Sequence, residues 1–446
     1  MIWISMTLRA AWLAGLITVS LQLTSTTGLT QPSPIDTAMA AAYFEDARDL
    51  SREDASRLWG VELYGPLLFV DRNTRTVVAN MADTAGHLSR AGDIYMGQLP
   101  ADRNAANTAI EWSGRRWTML IWPLPSNRYD RRRLLAHELF HRIQPSLGLP
   151  MRDPPNAHLD TEEGRTWLRL EWRALAEALI RDGANRKVAL ADALAFRARR
   201  HALFPDAAAE ERALELNEGL AEYTGLELSG LPDHVLADRA AVTLESREDQ
   251  TSLTRSFAYA SGPAYGILLD ESGEAWRGEL TPDTDLAALA ARAYGIREPP
   301  VADADARAAR YDGDRVMADE AARAERKTAE LARLRARFIE GPVLHLEPRS
   351  SFNYSFDPNA AVTIPGVGTV YETARVSSDW GVLSVESGGV LLTRTDAGIT
   401  GAVVPVPDGG PVPPLQGDGW RLQLAEGWSI EPADRPGDWR AASSGG

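Results

Sequence analysis

The sequence predicts an α+β fold with more than one domain, and both the order of its local patterns and its length support this. Strand-like runs with turn signals fill residues 61–122, helical patterns dominate residues 126–338, and short alternating runs return after Gly341. A chain of 446 residues also exceeds what one hydrophobic core usually supports. We therefore expect a β-hairpin or sheet region, then a mainly helical region, and a small all-β C-terminal domain.

Two hairpins are predicted before the first long helix, and a short helix near residues 36–57 precedes them. Turn residues separate the members of each strand pair, with Asp71-Arg72-Asn73 in the first and Ser113-Gly114 in the second. The predicted pairs are 61–70 with 75–80, and 108–112 with 116–122.

The helical region begins where Ser126 and Asn127 can cap a helix, which should run to about Gln144 because Pro145 follows. Tryptophans and leucines then recur at helical spacing. The predicted helices are 126–144, two within 161–202, 207–228 and 304–338. Beyond Gly341 we expect a hairpin formed by residues 381–386 and 390–394.

Composition narrows the class of protein. The net charge of −15 argues against nucleic acid as a partner. The chain has no cysteine, which excludes disulfides, thiolate metal sites and a lipoprotein anchor.

The N-terminus is typical of a secretory signal peptide, with Arg9, an apolar run over residues 10–23 and small residues at 25–28. We expect export to a bacterial periplasm or medium, with no stable membrane span after signal removal. An uncleaved signal anchor is the alternative.

The residues that point to chemistry are His137-Glu138-Leu139-Phe140-His141. Two histidines at i and i+4 lie on one face of a helix, so both imidazoles can reach one metal ion. Zinc in hydrolases usually takes three protein ligands and leaves one position for water. Glu138 is the candidate general base for that water.

A second segment, Asn217-Glu218-Gly219-Leu220-Ala221-Glu222-Tyr223, offers the third ligand. We assign Glu218 as ligand and Glu222, one turn later, as an acceptor for the distal nitrogen of a ligating histidine. The reverse assignment stays open, because spacing alone treats the two carboxylates alike.

These segments resemble the gluzincin metallopeptidases, and most closely the M1-type aminopeptidase group, where an Asn-Glu-Gly helix supplies the glutamate ligand. The segment Tyr259-Ala260-Ser261-Gly262 resembles the Tyr-x-x-Gly segment of that group. The resemblance implies that the Tyr259 hydroxyl stabilises the oxyanion, with Tyr265 and Tyr223 as alternatives. The Gly-x-Met-Glu-Asn segment that holds a free amine in that group is absent.

The function we expect is an exported metallopeptidase that binds one Zn²⁺ per chain and hydrolyses peptides or proteins. An edge strand of the hairpin at 108–122 could pair with an extended substrate. One alternative is a non-catalytic envelope scaffold whose β domain binds a partner. Another is a zinc hydrolase that acts on a non-peptide amide or ester.

The remaining features have simpler predicted roles. We expect Trp112, Trp117 and Trp122 to lie in the core, Arg131–Arg133 to form a solvated helix face, and His234 to lie in a loop. The predicted organisation is a signal peptide (1–28), an N-terminal α+β sheet region of the catalytic unit (29–125), a helical zinc-binding catalytic region (126–275), a further helical region (276–340) and an all-β C-terminal domain (341–446).

Overall fold

The structure, a computed structural model, has the predicted α+β, multi-domain architecture. It describes residues 35–100, 102–297, 303–349, 352–356, 361–395, 398–407 and 409–443. The predicted signal peptide lies outside these residues. The described residues divide into two compact units, one within Met1–Leu147 and Glu227–Gly230 and the other within Gly148–Leu226 and Leu231–Gly446. No helix within the described ranges has both the length and the apolar character needed to cross a membrane.

The described residues of the first unit form two α-helices and a six-stranded sheet. Its elements are α1 (Thr37–Asp54), β1 (Leu67–Asp71), β2 (Thr76–Ala79), β3 (Ser89–Ala91), β4 (Ile94–Gln98), β5 (Thr108–Trp112), β6 (Arg115–Trp122) and α2 (Arg128–Ile143). The strand order is β3-β4-β2-β1-β6-β5, with β1 and β6 parallel and the other neighbours antiparallel. β5 therefore lies at one edge of the sheet.

Both predicted hairpins in this unit are confirmed, as β1 with β2 and β5 with β6. The prediction that the first strand begins at residue 61 is wrong, because β1 begins only at Leu67. Pro66 has no N–H to donate to a ladder, and the side chain of Asn80 bonds the Gly65 carbonyl and the Leu67 amide at that point. Strands β3 and β4 were not predicted.

Helix α2 is fixed to its surroundings at both ends. At its start, the Asn127 side chain accepts hydrogen bonds from the amides of Tyr129 and Asp130, as a helix cap does. At its end, the Arg116 guanidinium on β6 donates to the carbonyls of His141 and Arg142. These contacts hold the carbonyl end of the helix against the sheet.

The prediction of a solvated arginine face on α2 is wrong for Arg131 and Arg132. Arg131 Nε donates to Asp46 Oδ2 at 3.1 Å, and Arg132, which is 3% exposed, pairs with Glu53. Both acids lie on α1, so the two arginines join the helices. Sequence spacing along α2 could not reveal acids that lie about eighty residues earlier in the chain.

The second unit begins with helices. They are α3 (Glu162–Ile180), α4 (Gly183–Leu203), α5 (Ala207–Leu214), α6 (Leu220–Glu227), α7 (Asp233–Arg247), α8 (Ala258–Glu271), α9 (Leu286–Ala293), α10 (Ala304–Ala308) and α11 (Gly313–Arg335), with π turns at Glu215–Gly219 and Ala336–Glu340. The predicted pair within 161–202 is confirmed as α3 and α4. The predicted helix at 207–228 is confirmed in extent but widens into a π turn in the middle.

Two helix predictions in this unit need correction. The predicted continuous helix over 304–338 is wrong, because Asp312 adopts a left-handed backbone with φ of 54° between α10 and α11. His234 lies in the first turn of α7 and not in a loop.

Buried ion pairs fix the segment that leads to the π turn. Arg197 Nη2 donates to Glu215 Oε2 at 2.7 Å, and Arg200 bridges Glu171 and Glu211 at 2.5 and 2.7 Å. None of these side chains is more than 4% exposed. A charge this deeply buried is stable only with its partners in place, so the network fixes α5 and Glu215 against α3 and α4. Glu215 lies one turn before Glu218.

The chain ends in a β sandwich. Its strands are β7 (Val343–Leu346), β8 (Phe352–Phe356), β9 (Ala361–Ile364), β10 (Gly368–Tyr371), β11 (Ala374–Ser378), β12 (Gly381–Val385), β13 (Val390–Thr395), β14 (Gly398–Pro405), β15 (Gln416–Gly417), β16 (Trp420–Leu424), β17 (Trp428–Pro432) and β18 (Trp439–Ser443). One sheet has the order β17-β18-β7-β14-β13-β10-β9 and the other β15-β16-β12-β11-β8. A shared core that includes Leu346, Leu383 and Trp420 joins them.

The predicted hairpin of residues 381–386 and 390–394 is wrong, although both strands exist. β12 pairs with β11 and β16, whereas β13 pairs with β10 and β14 in the other sheet. Gly388 and Gly389 have φ of 72° and 85°, so the linker turns the chain from one sheet to the other.

Candidate metal centre

Helix α2 carries two buried imidazoles that converge. His137 and His141 are 6% and 5% exposed, and their Nε2 atoms lie 3.2 Å apart. Tetrahedral zinc with Zn–N bonds of about 2.0–2.1 Å requires its nitrogen ligands to lie about 3.3 Å apart. The two rings are nearly perpendicular, with an interplanar angle of 76°. The predicted spacing therefore gives the separation that one zinc ion needs.

The orientation of His141 is fixed by a residue that the sequence did not identify. The Nδ1 of His141 lies 3.0 Å from Oε1 of Gln144, whose side chain is fully buried. When Nδ1 carries the proton and donates to this oxygen, Nε2 keeps its lone pair for a metal. Gln144 lies three residues after His141, within reach of its ring. In the sequence, however, its place before Pro145 indicates only that the helix ends there.

The predicted third ligand belongs to the same group. The ligand atoms of His137, His141 and Glu218 all lie within 4.8 Å of one another, and all three side chains are buried. This group could hold a metal ion, and its donors, two imidazoles and one carboxylate, are a set that zinc accepts. Glu222 is also buried, at 6% exposure, but is not a member of this group among the described residues.

Both oxygens of the Glu218 carboxylate accept hydrogen bonds within the helical region. Oε1 accepts from Arg255 Nη2 at 2.7 Å and from Asn217 Nδ2 at 3.4 Å. Oε2 accepts from the Tyr259 hydroxyl at 2.5 Å. These bonds hold the carboxylate in one orientation on the π turn, a helical irregularity that is frequent at functional sites.

Two glycines explain why Tyr259 reaches Glu218. A Cβ on Gly262 would lie 2.3 Å from the Cα of Gly219, and a Cβ on Gly219 would lie 3.0 Å from the Cα of Gly262. The π turn and α8 therefore touch backbone to backbone at this point. Tyr259 lies one turn before Gly262 on α8, so this close contact brings its hydroxyl to the carboxylate.

The two alternative tyrosines donate to other groups. The Tyr223 hydroxyl donates to Asp270 Oδ2 at 2.5 Å, and the Tyr265 hydroxyl donates to Glu171 Oε1 at 2.7 Å. Burial, and then the Glu218 carboxylate, raise the pKa of Tyr259 well above its usual value. Of the three candidate tyrosines, Tyr259 is the one whose hydroxyl contacts the proposed metal ligand Glu218.

The other candidate residues have structural partners or are exposed. Trp112, Trp117 and Trp122 are buried, which confirms the core interpretation. His234 is exposed at the start of α7. The remaining histidines bond to nearby polar groups: His87 to Ser113, His158 and His201 to Glu211, and His345 to Asp438.

Comparison with known proteins gives no further indication of the function. No protein-family model matches the chain, and neither the curated proteins nor the solved structures give a significant match.

We predict that, with Zn²⁺ as the probe ion, Gln144→Leu weakens metal binding at this group about 10–100-fold, because His141 then loses the acceptor that orients its ring. Competition with a chromogenic chelator measures the dissociation constant. Gln144→Glu, which keeps an oxygen at that position, should retain tighter binding than Gln144→Leu.

Ser146→Ala is the matched control, since the Ser146 hydroxyl donates to the Ile143 carbonyl and not to a histidine. Its zinc affinity should equal that of the parent protein. Unchanged affinity in Gln144→Leu would show that the bond to His141 is irrelevant to metal binding.

We predict that Gly262→Ala destabilises the protein. Alanine normally stabilises an exposed helix interior by about 1 kcal/mol relative to glycine, whereas overpacking costs about 1–3 kcal/mol. The midpoint of thermal unfolding should therefore fall. Gly278→Ala, with nothing within 4 Å of the added carbon, should leave it nearly unchanged. A rise in the midpoint for Gly262→Ala would disprove the backbone contact.

Proposed function

We propose that this protein is a zinc-dependent metallopeptidase of the gluzincin type. The observation that carries the proposal is the buried group of His137, His141 and Glu218, whose ligand atoms lie within 4.8 Å of one another. Two histidines and one glutamate are the ligand set of catalytic zinc in several peptidases, where the fourth position is left for water or substrate. The Asn-Glu-Gly and Tyr-x-x-Gly segments of the sequence support the same assignment.

A zinc ion held by this group would supply Lewis acidity, which polarises a carbonyl and acidifies a water molecule. Glu138 lies next to His137 on α2 and is 5% exposed. Its carboxylate takes a proton from the attacking water and returns it to the nitrogen of the leaving amine. The Tyr259 hydroxyl, which donates to Glu218 Oε2 in the free protein, would turn its proton from that oxygen to the carbonyl oxygen as negative charge develops there.

The edge position of β5 supports a peptide substrate. β5 pairs with β6 on one side, and no described strand pairs with its other side. Helix α2, which carries both histidines, packs against β5 and β6. An extended peptide added along β5 would form main-chain hydrogen bonds and run beside the metal helix. Export of the enzyme remains part of the proposal, on the strength of the N-terminal sequence alone.

We predict that Glu138→Gln keeps about one zinc per chain but lowers peptide cleavage by about 10²–10⁴-fold, because the amide cannot accept the proton. Metal is measured by mass spectrometry of the purified protein, and cleavage by products from a mixed peptide library.

Glu330→Gln is the matched control, since Glu330 pairs with Arg333 on an exposed part of α11. It should have full activity and full zinc content. Cleavage by Glu138→Gln within tenfold of the parent rate would remove Glu138 from the mechanism, and a parent protein without zinc would remove the mechanism itself.

A further inference from the structure

An arginine in contact with the Glu218 carboxylate is half exposed. Arg255 lies in the segment before α8, where its Nη2 donates to Glu218 Oε1 at 2.7 Å and its Nη1 pairs with Asp153. The Arg255 side chain is 49% exposed, whereas that of Glu218 is 7% exposed. The guanidinium therefore covers part of a buried carboxylate and keeps a face toward solvent.

Two positively charged side chains lie near Glu218 and Tyr259, although the chain as a whole is acidic. The chain has a net charge of −15, but a second arginine lies here as well, with the Arg247 guanidinium carbon 5.9 Å from the centre of the Tyr259 ring. The acids that face Arg255 are Glu218 and the exposed Asp153. An exposed acid at the surface is an exchangeable partner, because a surface ion pair contributes little free energy.

The shared contact with Glu218 places Arg255 close to where the cleaved bond of a substrate would lie. Arg255 and Tyr259 bind the two oxygens of one carboxylate. A carbonyl that accepts a hydrogen bond from Tyr259 would lie about 3 Å from its hydroxyl. Successive residues of the substrate are about 3.8 Å apart. A group on the residue next to the scissile bond would therefore come within reach of the Arg255 guanidinium.

We propose that Arg255 binds a substrate carboxylate on a residue adjacent to the cleaved bond. This inference rests on the proposed peptidase function and names its substrate class, which is peptides with an anionic group at that position. Guanidinium is the cation best suited to a carboxylate, because its planar N–H groups match the two oxygens. The bound carboxylate displaces Asp153 from Arg255.

Two kinds of peptide carry such a carboxylate. One is a peptide whose C-terminal residue follows the scissile bond, so that its free α-carboxylate lies there. The other is a longer peptide with Asp or Glu next to the bond. The chemistry at Arg255 is the same in both cases, and the test separates them with matched peptides.

The test uses the zinc-loaded full chain and four versions of one cleavable peptide. They carry a C-terminal acid or amide and, separately, Glu or Gln beside the scissile bond. Arg255→Gln should raise KM for each carboxylate-bearing version about 10–100-fold more than for its uncharged counterpart, because only the former loses a charged partner. Any loss of kcat that comes from the missing bond to Glu218 should be the same for all four peptides. Arg255→Lys should recover part of the loss. Arg315→Gln, an exposed arginine on α11, is the matched control.

A role limited to orienting Glu218 predicts a different pattern. Zinc affinity would then fall in Arg255→Gln, and all four peptides would lose activity by the same factor. Equal losses, or a parent enzyme that does not distinguish acid from amide, would overturn the proposal.

Calorimetric titration with the acid and amide peptides keeps this inference separate from the peptidase proposal. Arg255-dependent binding of the acid peptide by a zinc-loaded protein that cleaves nothing would support the carboxylate site and contradict the peptidase function. Cleavage without any preference for the acid would contradict the carboxylate site alone.

Discussion

The arrangement of the candidate site depends on the rigid helical spacing of His137 and His141. One turn of helix separates the two residues, and their Nε2 atoms lie 3.2 Å apart in a buried environment. A loop could not hold this distance without a large loss of conformational entropy, whereas α2 has that order already. The Asn127 cap, the Arg116 bonds to the last carbonyls and the Gln144 acceptor all preserve it. A separation that matches tetrahedral zinc is thus a property of one well-anchored helix.

A second constraint lies in the helical region and explains two sequence segments at once. The glycines of Asn-Glu-Gly and Tyr-x-x-Gly are needed because the π turn and α8 touch at Gly219 and Gly262. Any side chain at Gly262 would push Tyr259 away from Glu218. The ion pairs of Arg197 with Glu215 and of Arg200 with Glu211 fix the residues that come just before Glu218 in the chain. The carboxylate is therefore positioned by backbone packing and by buried charge together.

Local patterns predicted the parts of the fold that depend on neighbouring residues. The Asn127 cap with Pro145 bounded α2, and turn residues located the hairpins of β1 with β2 and β5 with β6. Features that depend on distant residues were missed or wrong. The glycine pair at Gly388 and Gly389 predicts a hairpin turn, but the same pair serves equally well to lead the chain from one sheet to the other. Gln144 and Arg255 were missed because their roles depend on which atoms they meet in space. The buried Arg132 was missed because its partner lies on α1.

The most direct measurement of the central claim is X-ray absorption at the zinc edge on the metal-loaded protein, for the parent chain and for Glu218→Ala and Glu222→Ala. The account predicts two imidazole nitrogens and a carboxylate oxygen at about 2.0–2.2 Å in the parent. The carboxylate signal should disappear only in Glu218→Ala. A spectrum without imidazole scattering, or one in which Glu218→Ala leaves the coordination unchanged, would contradict the account.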